Sequence, residues 1–132
     1  MSLRILLVED EALIAMMAQD MIESLGHQVV RTATTLAEAH QAVDSCAFDL
    51  ALLDVNLNGD NSVPLALRLV DKGCPFAFTT GYGAVGVENA PANIPVLTKP
   101  YSIAELESMI TMLGRQLAGT SSITSSVDSN RG

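Results

Sequence analysis

The most constraining stretch of the chain is Phe48-Asp49-Leu50-Ala51-Leu52-Leu53-Asp54-Val55-Asn56. Leu50 to Leu53 is a short, wholly apolar run with the length and bounds of a buried strand, although periodicity alone leaves buried helix open. The run ends on a carboxylate, Asp54, and breaks into Asn56-Leu57-Asn58-Gly59-Asp60-Asn61, which is turn chemistry. An acid at the C-terminal end of a buried strand stands where open α/β sheets bind ligands. Asp54 could equally cap the loop, and this stretch alone does not separate the two readings.

The flanking sequence supplies more strands. Arg4 to Val8 is an apolar run ending in Glu9-Asp10-Glu11. From Ala12 to Leu25 the pattern turns helical. Leu13, Met17 and Met21 repeat at i, i+4 and i+8, with Ile14, Ala18, Ile22 and Leu25 beside them. Asp10 is placed to cap this helix and Gly26 to end it. Gln28 to Thr32 reads as a second strand. Thr35-Leu36-Ala37-Glu38 is a capping box opening a helix to about Ser45. After the Asp54 strand, Ser62 is placed to cap a helix with Pro64 in its first turn, which runs to Lys72 and stops at Gly73. Pro75 to Thr80 is a fourth strand. Ala84 to Pro95, with Gly86, Pro91 and Pro95, holds one or two helical turns at most. Val96 to Thr98 is a short fifth strand closed by Lys99-Pro100. Ser102 to Glu105 is a second capping box, and the final helix carries the stripe Ile103, Leu106, Ile110, Leu113 and Leu117. From Gly119 to Gly132 the chain is Ser/Thr-rich and aperiodic, which predicts a disordered tail. The domain is thus expected over 1–118.

Strand and helix alternate five times. Right-handed crossovers then give a doubly wound parallel α/β sheet covered on both faces, with all strand C-termini at one edge. That edge collects Glu9, Asp10, Glu11, Asp54, Thr80 and Lys99.

Charge and composition remove several function classes. The 132 residues suit one domain, and 48% hydrophobic content suits a compact core. The net charge of −8, with seven scattered basic residues, argues against direct nucleic-acid binding. No apolar run reaches a membrane span, and the start lacks a secretory signal pattern, so a cytoplasmic location is expected. Cys46 and Cys74 fit neither a metal-ligand spacing nor a disulfide framework. His27 and His40 have no Cys or His neighbour at ligand spacing, so packing or solvated roles are expected.

The Glu-Asp-Glu turn after the first strand repels a bare phosphate, where a phosphate cradle needs glycines or hydroxyls. Two carboxylates about 4 Å apart repel by roughly 4 kcal/mol at an effective dielectric of 20. A hard divalent cation removes that cost, and carboxylates, a backbone carbonyl and waters describe a Mg²⁺ site. With Lys99 and Thr80 beside it, such a site suits a phosphoryl group on or near a carboxylate. An aspartate can itself be the nucleophile that forms an acyl phosphate.

Taken together, Glu9-Asp10, Asp54, Thr80 and Lys99-Pro100 at four strand ends resemble the receiver domain of bacterial two-component response regulators, a CheY-like fold. The resemblance covers about residues 4 to 117 and implies strand order 2-1-3-4-5. It implies that Asp54 accepts a phosphoryl group from phosphohistidine on a sensor histidine kinase or histidine phosphotransfer protein. Asp10 would bind Mg²⁺ directly together with Asp54, Glu9 would act through water, and Asn56 would offer its backbone carbonyl. Lys99 would pair with the phosphoryl group, and Thr80 would turn inward to bond it and switch a protein-binding surface. Thr79 is adjacent, and the order Thr80-Gly81 matches the family's threonine followed by a small residue. A protein of this kind catalyses its own phosphorylation and slow dephosphorylation and is otherwise no enzyme. Its partners would be a phosphodonor, a downstream protein and, in some cases, a second copy of itself.

The chain also departs from that family. The aromatic usually three residues before the lysine is Val96, a role Tyr82 or Tyr101 could take over. The usual proline four after the acceptor is Asn58, and the fourth helix is curtailed. The run Pro75-Phe76-Ala77-Phe78-Thr79-Thr80-Gly81-Tyr82-Gly83 resembles a subgroup with a Phe-Ala-Thr-Gly-Tyr-type signature, often single-domain regulators. With no effector domain following, output is expected through protein contact or onward phosphotransfer. Met109, Met112 and Met16 lie beside the main stripes, where they either form adaptable binding surface or finish the core. Two other readings use the same residues. A metal-dependent phosphatase with an aspartyl nucleophile would need a general acid where Asn56 stands. A receiver-like interaction module would never be phosphorylated.

Overall fold

The computed structural model describes residues 2–45, 47–81 and 93–129, with side chains described through Leu117. The elements are β1 (Arg4–Val8), α1 (Ala12–Ser24), β2 (Gln28–Ala33), α2 (Leu36–Ser45) and β3 (Leu50–Asp54). There follow β4 (Asn56–Leu57), β5 (Asp60–Asn61), α3 (Val63–Asp71), β6 (Phe76–Thr80), β7 (Val96–Thr98) and α4 (Ile103–Ser129). The main sheet has five parallel strands in the order β2-β1-β3-β6-β7. This is the CheY-like order, 2-1-3-4-5 when only its own strands are counted.

The sheet's centre is buried on both faces, which is why β3 and β6 carry no exposed residue. Alternate side chains of each strand feed opposite layers. Leu6, Val8, Ala51, Leu53, Phe76 and Phe78 pack under α2 and α3, with the two phenylalanine rings edge to face at 5.7 Å. Ile5, Leu7, Leu50, Leu52 and Ala77 pack under α1 and α4. Each buried Leu or Ile contributes about 1.5–3 kcal/mol of transfer free energy, so the centre of the sheet is the rigid part on which the strand ends are mounted.

Several local expectations are corrected. In α1 the buried face is Ala15, Ala18 and Ile22, while Leu13 is 69% and Met17 51% exposed. Small residues let the helix axis approach the sheet, so the larger side chains of the stripe fall outside the contact. Asp10 does not cap α1. The N-cap is Glu11, without a side-chain bond, and the Asp10 carboxylate is engaged elsewhere. Ser62 precedes α3, but its hydroxyl turns back to β3, and the Asn61 side chain accepts the Val63 N–H at 2.8 Å instead. At α2, Thr35 accepts the Glu38 N–H, but the Glu38 carboxylate reaches back one residue further, to Thr34.

The second capping box forms reciprocally, with Ser102 N–H bonded to Glu105 and Glu105 N–H bonded to Ser102. In the α4 stripe Leu106, Ile110 and Leu113 are buried, whereas Ile103 is exposed. The helix backbone continues to Ser129, through the stretch from Gly119 where the sequence predicted disorder. Each added helical residue gains a hydrogen bond, and Ser and Thr oppose this by only a few tenths of a kcal/mol. The expected short fourth helix and Tyr82 fall mainly on 82–92, and Cys46 stands at a further gap, so these lie outside the described residues. Cys74 is half-buried, and burial pushes its thiol up to about 11.

Candidate functional site

The C-terminal ends of β1, β3, β6 and β7 converge on one cleft of about 570 Å³. Each strand end delivers one group. Glu9 prolongs β1 through its N–H bond to Ala33 O at 3.0 Å, and its side chain turns inward to 3% exposure. Asp54 ends β3 at 5% exposure, with Oδ1 accepting the Asn56 N–H at 3.2 Å. Lys99 follows β7, and its N–H bonds Thr80 O at 2.7 Å.

The ammonium of Lys99 donates to Glu9 Oε1 and to Asp54 Oδ2, each at 3.1 Å. One cation therefore serves two buried carboxylates, and one negative charge remains in excess. Burial, followed by the charge of Asp54, pushes the Glu9 carboxyl up to about 7, even though the Glu11 N–H and Lys99 pull it down. For Lys99, burial acts to lower the ammonium's pKa. Its bond to Glu9 and the charges of Asp54 and Glu9 outweigh that and leave it raised.

The Asn58-Gly59 turn builds the other rim. Asn58 and Gly59 have φ of 53° and 91°, the left-handed pair that a two-residue hairpin requires, and β4 and β5 pair antiparallel across it. The turn aims the Asn58 N–H at Asp10 Oδ2, 2.9 Å away. The Asn56 side chain accepts the Gly59 N–H at 2.8 Å. Behind the rim, the buried Ser62 hydroxyl donates to Asp54 O at 2.6 Å and lies 3.1 Å from Val55 O. Sequence reading missed Asn58 and Ser62. The Asn-Gly pair was a hairpin signal, whereas nothing in the sequence marks a serine that bonds a strand eight residues earlier.

Of the two threonines, Thr79 is level with Asp54 in the β3–β6 register. Both are buried, and it is Thr80 that lines the cleft, beside Gly81. Asp10 and Asn56 line it as well. Carboxylate oxygens of Glu9, Asp10 and Asp54 all lie within 4.8 Å of one another. An all-oxygen, net-negative donor set of this kind fits a hard divalent cation such as Mg²⁺. The remaining lining is Glu11 and Pro100 together with an apolar stretch formed by Ile14, Met17, Ala18 and Met21 of α1 and by Tyr101. None of the helices, among the described residues, is long and apolar enough to cross a membrane.

Comparison with known proteins gives a consistent result. The family described as "Response regulator receiver domain" matches residues 5–111. The phyllosphere-induced regulator PhyR of Methylorubrum extorquens is 33% identical over 119 residues, covering 84% of this chain and 43% of PhyR. The chain thus spans less than half the length of that curated relative. The solution structure of SdrG from Sphingomonas melonis Fr1 is similar at TM-score 0.75 and 39% identity, covering 84% of this chain and 95% of SdrG. The crystal structure of the anti-anti-sigma factor PhyR from Bartonella quintana is similar at TM-score 0.82 and 27% identity, covering 94% of this chain and 52% of that one.

Proposed function

This chain belongs to the response regulator receiver domain family, and from that premise we propose that it is a phosphorelay phosphoacceptor, with Asp54 receiving the phosphoryl group of a phosphohistidine. The observation that carries the proposal is the position of Lys99, whose ammonium is paired with the Asp54 carboxylate inside a cluster of acidic oxygens from Glu9, Asp10 and Asp54. Asp10, Asp54 and the backbone carbonyl of Asn56 would hold Mg²⁺, with Glu9 acting through water. When bound, the ion supplies positive charge against the negative charge that gathers on the transferring group.

The chain's own residues do the rest. Asp54, at 5% exposure, presents a poorly solvated and therefore reactive carboxylate oxygen. Lys99 neutralises it before the reaction and passes to the phosphoryl oxygens after it. Thr80, at the next strand end, closes on the modified aspartate with its hydroxyl, and the end of β6 carries that movement toward the surface. Asn56 stands where a phosphatase would need an acid, which favours a lasting acyl phosphate and slow self-hydrolysis.

The phosphodonor would be a sensor histidine kinase or a histidine phosphotransfer protein. The description of the Bartonella relative as an anti-anti-sigma factor supports an output through protein contact, as does the net charge of −8.

Beryllofluoride, an acyl-phosphate mimic, tests this reading. With Mg²⁺ it should shift the amide resonances of Asp54, Thr80 and Lys99, and Asp54→Asn should abolish the response. Unchanged spectra in the wild type would overturn the reading.

A further inference from the structure

The phosphoryl chemistry uses only one side of the cleft. Its 570 Å³ falls within the range of small-molecule sites, about 300–1,000 Å³, and far exceeds the space of a phosphoryl group. The other side is the wall of Met17, Met21, Ile14 and Tyr101. Tyr101 is half-buried, and its ring packs against the core layer shared by α1 and α4. Burial first, and then the charge of Glu9, raises its phenol. A large apolar and aromatic surface thus shares one cleft with the attacking carboxylate.

In a phosphoryl transfer to Asp54, the attacking oxygen and the leaving group lie on opposite sides of phosphorus. The leaving group must occupy the part of the cleft that the acids and Lys99 do not. We infer that Tyr101 and Met17 are specificity-determining residues that seat the aromatic leaving group of the donor, so that N-phosphorylated imidazoles are preferred over small acyl phosphates. This rests on Asp54 being the acceptor. The step balances as written. The donor imidazole is protonated on its distal nitrogen, an Asp54 oxygen forms the new O–P bond as the P–N bond breaks, and the bonding pair stays on nitrogen so that neutral imidazole leaves. Its flat ring packs on Tyr101 in offset or edge geometry, and the flexible thioether of Met17 closes against it.

The test compares labelling rates with N-phosphoimidazole and acetyl phosphate, both with Mg²⁺, in the wild type and in variants. Tyr101→Ala should lower the imidazole-to-acetyl rate ratio by about threefold to tenfold, the value of one aromatic contact, and Tyr101→Phe should keep it. Met17 is 51% exposed, so Met17→Ser keeps the fold if Tyr101→Ala does not, and it should lower the ratio as well. A ratio unchanged in Met17→Ser and in a folded Tyr101→Ala would overturn the inference and leave the acceptor reading intact. Failure of both donors to label the wild type, with Mg²⁺ binding verified and rapid turnover excluded by phosphate release, would overturn the acceptor reading itself.

Discussion

Lys99 and Asp54 form an ion pair across 3.1 Å in which the lysine side chain is 14% and the aspartate side chain 7% exposed. The same ammonium holds Glu9. A pair this deep cannot be removed from one side without leaving a charge behind. Lys99→Met is therefore expected to destabilise the metal-free protein by about 3 kcal/mol at pH 8. The loss should be smaller at pH 6, where Glu9 takes up a proton. Denaturant midpoints at the two pH values measure both.

Glu9 sets a pH dependence whose sign follows from its raised pKa. Its carboxyl moves from 4.5 to about 7 on folding, so the folded state binds the proton more tightly than the unfolded chain. The resulting stability is fully present below pH 4.5 and is lost as pH rises through 7, by up to about 3 kcal/mol. Glu9→Gln should flatten that slope. The same proton competes with a cation, so Mg²⁺ affinity should rise between pH 6 and pH 8 and do so less in Glu9→Gln. Calorimetric titration at the two pH values checks this.

The Asn58-Gly59 turn holds Asp10 through one N–H bond. Gly59 has φ of 91°, and a side chain there is strained even though nothing stands within 4 Å of its Cβ position. Gly59→Ala should cost about 1–2 kcal/mol. By loosening the turn it should also weaken Mg²⁺ binding several-fold while leaving the sheet intact. Circular dichroism and metal titration separate the two effects.

Ser62 is fully buried, and its hydroxyl meets the carbonyls of Asp54 and Val55. Ser62→Ala removes the hydroxyl donor from the Asp54 carbonyl, while Val55 O keeps the Ser62 N–H at 2.9 Å, and should cost about 1–3 kcal/mol in stability. Because the bond fixes the peptide that carries the Asp54 side chain, phosphotransfer should also slow.

How much of this was legible in the sequence varies with the physics of each element. The sheet was readable because doubly covered parallel strands are continuous apolar runs, and β1, β3, β6 and β7 lie where those runs stand. The convergence at one edge followed from the alternation alone. The contact face of α1 was not readable, because Ala15 and Ala18 are buried for being small while a hydrophobic stripe ranks Leu13 and Met17 above them. The β4–β5 hairpin was readable only as a turn, since two-residue strands have no period. The sequence also placed Glu9 and Asp10 side by side without indicating depth. The structure turns Glu9 inward to Lys99 and leaves Asp10 at the rim under Asn58. The Ser62 bond depends on tertiary contact and leaves no local signature.

The central claim is that Asp54 is the phosphoacceptor. The most direct test is the intact mass of the protein after incubation with Mg²⁺ and acetyl phosphate, followed by fragmentation to locate the added group. The account predicts one phosphoryl group on Asp54, absent without the metal and absent in Asp54→Asn. An unmodified mass, with Mg²⁺ binding verified and rapid turnover excluded by phosphate release, or a phosphoryl group located on any other residue, would contradict it.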